Sequence, residues 1–251
     1  MTLLQPKVLR FESLPSTNTE LARLASEGAA EGLAVLADEQ TAGRGRLQRA
    51  WSSRKGAGLY FSILLRPAIP TQYWPLITFM AALAVGDALL EATGLQTDIK
   101  WPNDILANER KICGILAEAI ETPAGRAVIV GIGINLTQNA FPPELELAAT
   151  SVSEATGRQP ERETILAALF RALSRWYSLL NESDGREKIV AAWSSRSSYA
   201  NGKLVRVSNG DEVWQGTTCG VEHDGALRLN IASSEIRLVR AGDVYSVRSS
   251  S

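Results

Sequence analysis

The hydrophobic pattern of the chain changes character near residue 197. Before that point, apolar runs of strand length alternate with longer segments that carry helix signals. They predict strands at 8–12, 33–37, 59–65, 98–101, 105–107, 111–120 and 127–136, and helices at 17–27, 72–92, 160–181 and 185–196. Thr17-x-x-Glu20 has the spacing of a capping box at the start of the first helix.

Beyond residue 197 the segments are short, and apolar residues alternate with polar ones. Such segments occur at 203–207, 212–216, 226–229 and 235–239, separated by turns rich in Gly, Asn and Asp. This pattern predicts a small all-β domain of barrel or sandwich type. The expected organisation is therefore two domains, at 1–196 and 197–251.

Composition and charge exclude several classes of protein. The 251 residues carry a formal net charge of −1, which argues against a general nucleic-acid or membrane binder. The first ten residues lack the apolar core of a signal peptide, and the apolar stretch 75–90 is interrupted by Gly86 and Asp87, as in a core helix. Cys113 and Cys219 are too few for a disulfide framework, so a cytoplasmic protein with reduced thiols is expected.

The single histidine limits the chemistry further. His223 lies in Glu-His-Asp-Gly, the setting of a solvated hairpin turn. Neither Ser-His-Asp catalysis nor a His-based metal site is therefore expected, and no protein-held metal is assigned. A metal would be a hard ion bound mainly by oxygen ligands and substrate phosphates, which suggests Mg²⁺.

Positive charge is concentrated between residues 43 and 55. This segment contains no acid and five cations: Arg44, Arg46, Arg49, Arg54 and Lys55. It lies between two apolar strands, so it is a positioned loop, and arginine forks with nearby glycines predict a bound anion. A solvated loop and an RNA-contacting segment are the alternatives. No P-loop sequence occurs, and the two Gly-x-Gly pairs lack the third glycine of a dinucleotide fingerprint.

Four segments in order closely resemble those of the biotin protein ligase family. They are Ser16-Thr17-Asn18, Gln40-x-x-Gly-Arg-Gly-Arg-x-x-Arg-x-Trp51, Lys100-Trp-Pro-Asn-Asp104, and Lys111-x-x-Gly-Ile-Leu-x-Glu118 with Gly131-Ile-Gly-Ile-Asn135. The resemblance implies an α+β fold, in which a mixed-sheet catalytic domain of the biotin/lipoate ligase type is followed by a small SH3-like β-barrel. It also implies that biotin and ATP, with Mg²⁺, give biotinyl-5′-AMP and pyrophosphate. A lysine of a biotin carboxyl carrier protein, in acetyl-CoA carboxylase or a related carboxylase, then receives the biotin.

The resemblance assigns roles to individual residues. The catalytic pair is Lys100 and Arg44. Biotin is expected to contact Ser16, Thr17, Asn18, Gln40, Arg44, Gly45, Arg46, Lys100, Gly131 and Gly133. The nucleotide is expected to contact Arg49, Trp51, Asn103 and Asn135. Three of these residues have simpler interpretations: Ser16 and Thr17 as helix caps, and Trp51 as plain core. Asp104, in the same motif as Lys100, is equally well interpreted as the partner of a loop cation.

Two departures from the family pattern affect the interpretation. Many members have glycine where this chain has Gln48, which is expected to have little effect. Some relatives carry an N-terminal helix-turn-helix and repress transcription, but only fifteen residues precede Ser16, so a monofunctional ligase without DNA binding is expected. A lipoate or octanoate ligase of the same fold and a nucleic-acid-binding module are the rival functions. No membrane partner is expected, and the sequence leaves a homodimer open.

Overall fold

The larger part of the chain is built on a seven-stranded mixed sheet. The computed structural model describes residue 4 and residues 7–210, 212–231 and 235–246, with only the backbone at residue 246. The strands are β1 (Lys7–Leu14), β2 (Leu33–Gln40), β3 (Gly58–Leu65), β4 (Asp98–Lys100), β5 (Asp104–Ala107), β6 (Arg110–Thr122) and β7 (Gly125–Asn135). Their spatial order is β1-β2-β3-β7-β6-β5-β4. Strands β1 and β2 are parallel and all other pairs are antiparallel, which confirms the predicted mixed sheet.

Helices cover both faces of this sheet. They are α1 (Thr17–Ser26), α2 (Pro75–Thr93), α3 (Val152–Thr156), α4 (Arg162–Leu180) and α5 (Gly185–Ser195). Because side chains alternate along a strand, β3 sends Phe61 and Ile63 into the core with α2 and α4, and Leu64 toward α1. Tyr60 and Ser62 share the α1 face with Leu64, and this face carries the candidate site described below.

Helix α2 is a core helix, as predicted. Among the described residues it is long and apolar enough to cross a membrane by length and composition, yet 61% of its 18-residue apolar window is buried inside the protein. Leu76, Phe79 and Met80 are among the side chains it buries in the main hydrophobic core. Burial of this kind stabilises the fold by roughly 1.5–3 kcal/mol for each large side chain.

The C-terminal part forms a five-stranded antiparallel sheet. Its strands are β8 (Asn201–Asn209), β9 (Glu212–Val221), β10 (Leu227–Ile231), β11 (Ile236–Val239) and β12 (Asp243–Ser246), in the order β11-β10-β9-β8-β12. The predicted small β domain is confirmed, whereas its closure into an SH3-like barrel and the boundary at 196/197 stay predictions. Residues 247–251 of the predicted domain lie outside the described residues. Trp101 Nε1 donates to Gly225 O over 3.0 Å and joins this sheet to the larger one.

Three local details differ from the sequence prediction. Ser16, and not Thr17, caps α1: its hydroxyl accepts from Thr19 N, while Thr17 is already inside the helix. The capping box is therefore wrong, because the Thr17 hydroxyl is used in the site instead. The short helix α3 and the strand β12 were not predicted, since each is too short to show a hydrophobic period.

Candidate active site

A small polar cavity lies on the α1 face of the seven-stranded sheet. Its volume is about 50 Å³. It is lined by Ser16, Thr17, Asn18, Gln40, Arg44, Gly45, Trp51, Tyr60, Phe61, Asn103, Lys111, Gly114, Ile115, Leu116, Gly131, Ile132 and Gly133. Eight of the ten residues predicted for biotin therefore meet there, together with Gly114 and Lys111 from the sheet. We call this space the first cavity.

A network of uncharged polar groups forms one side of the first cavity. Gln40 Oε1 accepts from Thr17 N at 2.8 Å and from Thr17 Oγ1 at 3.1 Å, and Gln40 Nε2 donates to Ser53 Oγ at 2.7 Å. Ser62 Oγ, which is fully buried, lies 2.7 Å from Thr17 Oγ1 and 2.6 Å from Asn18 Oδ1. Ser53 and Ser62 were not predicted as site residues, because a single serine carries no signal of its own in the sequence.

The glycines in the floor of the first cavity lie under protein side chains. A Cβ atom at Gly131 would come within 2.3 Å of Asn18 Oδ1, and one at Gly133 within 2.5 Å of Trp51 Nε1. A Cβ at Gly114, the cross-strand partner of Gly133, would meet the same indole at 2.9 Å. Asn18 and Trp51 therefore already require glycine at these positions.

A second cavity lies on the other side of Trp51. Its volume is about 240 Å³. It is lined by Gly45, Arg49, Ala50, Trp51, Ser52, Lys111, Asn135, Ala140, Phe141, Leu145 and Ala149. The lining is mostly apolar, with Arg49 and Lys111 as its cations. Asn135 Nδ2 donates to Thr150 O over 3.0 Å, so its carbonyl oxygen is the group left for a ligand.

Lys111 is shared by the two cavities. It is the second residue of the long strand β6. Gly45 and Trp51 are the other residues that line both cavities. Lys111 Nζ pairs with Asp104 Oδ1 at 2.6 Å and lies 5.3 Å from the centre of the Trp51 ring. Its backbone is fixed as well, since Lys111 N donates to Ala148 O over 2.8 Å. Lys111 begins the motif that ends at Glu118, but no role was predicted for it.

Lys100 lines neither cavity, and its predicted catalytic role stays a prediction. Lys100, Asp104, Gly114 and Gly133 are successive partners across four strands, so Lys100 lies at the edge of the sheet, two strands beyond Gly114. Its Nζ is 5.7 Å from the Tyr199 ring centre and 6.0 Å from that of Tyr245. Burial lowers the pKa of Lys100, and the Asp104 carboxylate partly opposes that shift.

Residues 43–51, which we call the basic loop, form a small hairpin. Gly45 N donates to Arg49 O over 2.7 Å, and Trp51 N donates to Gly43 O over 2.9 Å. Acids distant in sequence pair with its arginines: Arg44 with Glu118 at 2.7 Å, and Arg49 with Asp243. The positive charge that stands out in the sequence is thus balanced in the fold.

Two residues assigned from the family motif face elsewhere. Arg46 lines neither cavity, because its guanidinium donates to Asn103 Oδ1 and to Gly242 O, both over 3.2 Å. Burial lowers the pKa of Arg46, and the Asp243 carboxylate opposes that shift.

Asn103 lines the first cavity, not the second, and its amide donates to Ile115 O over 2.8 Å. Arg46 therefore contacts Asn103 and the C-terminal part of the chain, Asn103 contacts β6, and neither side chain lines the second cavity. Asp104 pairs with Lys111 of β6, not with a cation of the basic loop.

The turn of the basic loop explains the family preference for glycine at position 48. Leu47 and Gln48 have φ values of 53° and 60°, the left-handed region that side chains disfavour by about 1–2 kcal/mol. Gln48→Gly removes that cost but adds roughly 0.5–1 kcal/mol of backbone entropy. We expect a small net gain, with thermal unfolding raised by about 1–2 °C.

Gln96→Gly is the matched control for this substitution, because Gln96 lies in a loop and is not among the residues with positive φ. It should lower thermal stability, since it adds backbone entropy without relieving strain. Equal losses in both variants, measured by calorimetry, would mean that position 48 is not strained.

Known proteins share much of this sequence. Residues 10–135 match the biotin/lipoate A/B protein ligase family. The chain is 40% identical over 240 residues to the bifunctional ligase/repressor BirA of Bacillus subtilis, covering 94% of this chain and 73% of that protein. It is 38% identical over 238 residues to the biotin–[acetyl-CoA-carboxylase] ligase of Paracoccus denitrificans, covering 92% and 96%.

A solved structure agrees with the fold over nearly its whole length. The biotin protein ligase of Aquifex aeolicus in complex with biotin and ATP superposes with a TM-score of 0.84 at 30% identity, covering 97% of this chain and 99% of that one. The match includes the mixed sheet that carries both cavities and the C-terminal antiparallel sheet. The chain therefore belongs to the biotin/lipoate A/B protein ligase family.

Proposed function

We propose that this chain activates biotin with ATP and transfers it to a lysine of a biotin carboxyl carrier protein. It is a biotin protein ligase, as its family and its relatives of known name establish. The carrier of acetyl-CoA carboxylase or of a related carboxylase is the acceptor we expect. The observation that carries the proposed mechanism is that Lys111 lines both cavities at the point where they meet.

The two cavities suit the two substrates of the first step. The first cavity offers uncharged hydrogen-bonding groups, as the neutral ureido ring of biotin requires. The second offers apolar walls for a base, with Arg49 as a cation for phosphates. A carboxylate in the first cavity would then meet an α-phosphate beside Lys111.

Lys111 and Arg44 would carry the electrostatic part of the reaction. A biotin carboxylate oxygen forms a bond to the α-phosphorus, and the bond to the bridging oxygen of pyrophosphate breaks. Negative charge brought together at this junction must be neutralised, and a preorganised ammonium does this without reorganisation cost. Asp104 holds Lys111 Nζ at 2.6 Å, so the ammonium is aimed before the substrates arrive.

The second step needs little from the protein beyond retention of the intermediate. The amine of the carrier lysine attacks the acyl carbon, the carbon–oxygen bond to AMP breaks, and the amine loses a proton. Arg44, which lines the first cavity, and Gly45, which lines both, would hold the adenylate until the carrier binds.

Mg²⁺ is expected to enter with the triphosphate, where it supplies further neutralisation of the phosphate charge. The described residues contain no group of three or more His, Cys, Asp or Glu side chains able to hold a metal ion. Asp104, the carboxylate beside the site, is already paired with Lys111. The donor set therefore fits an ion coordinated mainly by phosphate oxygens.

The polar lining of the first cavity favours biotin over lipoate or octanoate. An octanoyl chain offers no hydrogen-bond partner to Ser16, Thr17 or Gln40, and these side chains lie in or near buried positions. Thr17 and Gln40 are already bonded to each other, so the cost arises where the octanoyl chain replaces water on their remaining donors and acceptors, typically 1–3 kcal/mol for each one left without a partner.

Pyrophosphate release with ATP and each acid tests this proposal. We expect biotin to be preferred over octanoate and lipoate by roughly 10⁴-fold in kcat/KM, because a site built for hydrogen bonds rejects ligands that lack them. Comparable rates with octanoate would contradict the assignment of the first cavity. A nucleic-acid-binding role predicts instead that duplex DNA or RNA binds with a steep salt dependence, whereas biotin binding should change little with salt.

Three further expectations belong to the same proposal. A cytoplasmic location follows from the ATP-dependent reaction and the free thiols Cys113 and Cys219. Absence of DNA binding and a homodimer remain predictions, which gel-shift titration and analytical ultracentrifugation would test.

A further inference from the structure

Glu118 holds two residues of the first cavity without lining the cavity itself. It lies on β6, and its Oε2 accepts from Asn18 Nδ2 and from Arg44 Nη2, each at 2.7 Å. Both donors belong to the lining, one from α1 and one from the basic loop. A single carboxylate oxygen thus connects three elements that are distant in sequence.

The carboxylate fixes the orientation of Asn18. Besides Glu118, Asn18 Nδ2 donates to Leu116 O at 3.3 Å, while Asn18 Oδ1 lies 2.6 Å from Ser62 Oγ. Rotating the amide by 180° would place its oxygen against the Glu118 carboxylate. The carbonyl end is therefore directed toward Ser62 and the polar network around Thr17.

The same carboxylate restrains Arg44. The Arg44 side chain is 42% exposed, and its ion pair with Glu118 is the described side-chain contact that holds it against β6. The bond to Glu118 uses Nη2, which leaves the remaining guanidinium N–H groups for a ligand. Arg44 is one of the cavity's two lining cations, with Lys111 the other.

We propose that Glu118 is a positioning residue for the adenylate, acting through Arg44 and to a smaller extent through Asn18. The inference rests on the proposed function, in which Arg44 contacts the carboxylate end of biotin and its adenylate. Glu118 orients the guanidinium before substrate binds, so most of its effect is exerted only while Arg44 is present. A role in the stability of β6 would instead act whether or not Arg44 is present.

A double-mutant cycle separates these two roles. The variants are Glu118→Ala, Arg44→Ala and the double substitution, and the measurement is the release rate of biotinyl-AMP in the absence of carrier, after single-turnover formation. Hydrogen bonds to charged groups predict that Glu118→Ala releases adenylate about 10- to 100-fold faster. In the Arg44→Ala background, the same substitution should change the release rate less than about threefold, through Asn18 alone.

Two further variants keep the result interpretable. Glu118→Gln retains an oxygen acceptor without the charge, so an intermediate release rate is expected even if the alanine variant folds poorly. Glu121→Ala is the matched control on the same strand, because Glu121 pairs with Arg126 at 2.7 Å and lies outside both cavities. It should release adenylate at the wild-type rate.

Different outcomes would contradict the positioning role of Glu118 and the proposed ligase function. Multiplicative effects of Glu118→Ala and Arg44→Ala, or a wild-type release rate in Glu118→Ala, would overturn the positioning role while leaving the ligase function intact. An Arg44→Ala enzyme with unchanged adenylate retention would overturn it through its premise about Arg44. Failure of the wild-type enzyme to form biotinyl-AMP from biotin and ATP would instead refute the proposed function.

Discussion

Replacing Lys111 by alanine is expected to slow formation of biotinyl-AMP by about 10²–10³-fold, the usual effect of deleting one preorganised electrostatic group. Lys111 is the ammonium at the border of the two cavities, where carboxylate and α-phosphate would meet. The loss should appear in single-turnover kcat more than in binding of biotin alone, because the charge is needed most when the two anions are brought together.

Lys100→Ala is the comparison that decides between the two lysines. Lys100 lies at the sheet edge between Tyr199 and Tyr245 and lines neither cavity, so its removal should slow adenylation much less than removal of Lys111. Lys111→Arg keeps a positive charge and should retain part of the activity. A Lys100→Ala enzyme that is slower than Lys111→Ala would restore Lys100 as the central lysine.

The sequence could predict the sheet but not how the two lysines lie relative to the cavities. Strand lengths and turns follow from local patterns, and these placed β3, β6 and β7 within one or two residues of their observed ends. Lys100 was assigned because its motif resembles that of the family, and this assignment stays a prediction. The position of each lysine relative to the cavities depends on strand order, since β4 is an edge strand while Lys111 is the second residue of the long strand β6 beside β7.

The polar residues of the site also divide into those that local sequence segments predict and those that depend on contacts distant in sequence. Ser16, Thr17, Asn18 and Gln40 belong to recognisable segments, and the fold brings all four to one cavity, while their contact with biotin stays a prediction. Glu118 and Ser62 act through contacts with residues more than forty positions away, and Asp243 reaches the basic loop from β12. Such pairings are set by register between strands and by packing of the C-terminal sheet, which no local pattern reports.

Gly133→Ala is expected to lower adenylation by about 10²-fold and to destabilise the fold by about 1–3 kcal/mol. A Cβ at this position would come within 2.5 Å of Trp51 Nε1 and 2.6 Å of Trp51 Cε2. Because Gly133 lies inside β7, paired with both Tyr60 and Gly114, the backbone cannot easily move away. The indole must therefore shift, and with it the shared wall of both cavities.

Trp51→Phe should rescue Gly133→Ala, which distinguishes a steric effect from a general weakening of β7. Phenylalanine lacks the indole nitrogen and has a smaller ring, so it leaves room for one methyl group. The double variant is expected to recover most of the lost unfolding free energy, measured by denaturant titration, and part of the adenylation rate. Gly86→Ala in α2 is the control outside the site. Its Cβ would meet only Thr97 Oγ1 at 3.3 Å. A helix interior favours alanine over glycine by about 1 kcal/mol. If Trp51→Phe and Gly133→Ala are simply additive, the indole is not what excludes a side chain at position 133, and the two cavities are not divided by Trp51 in solution.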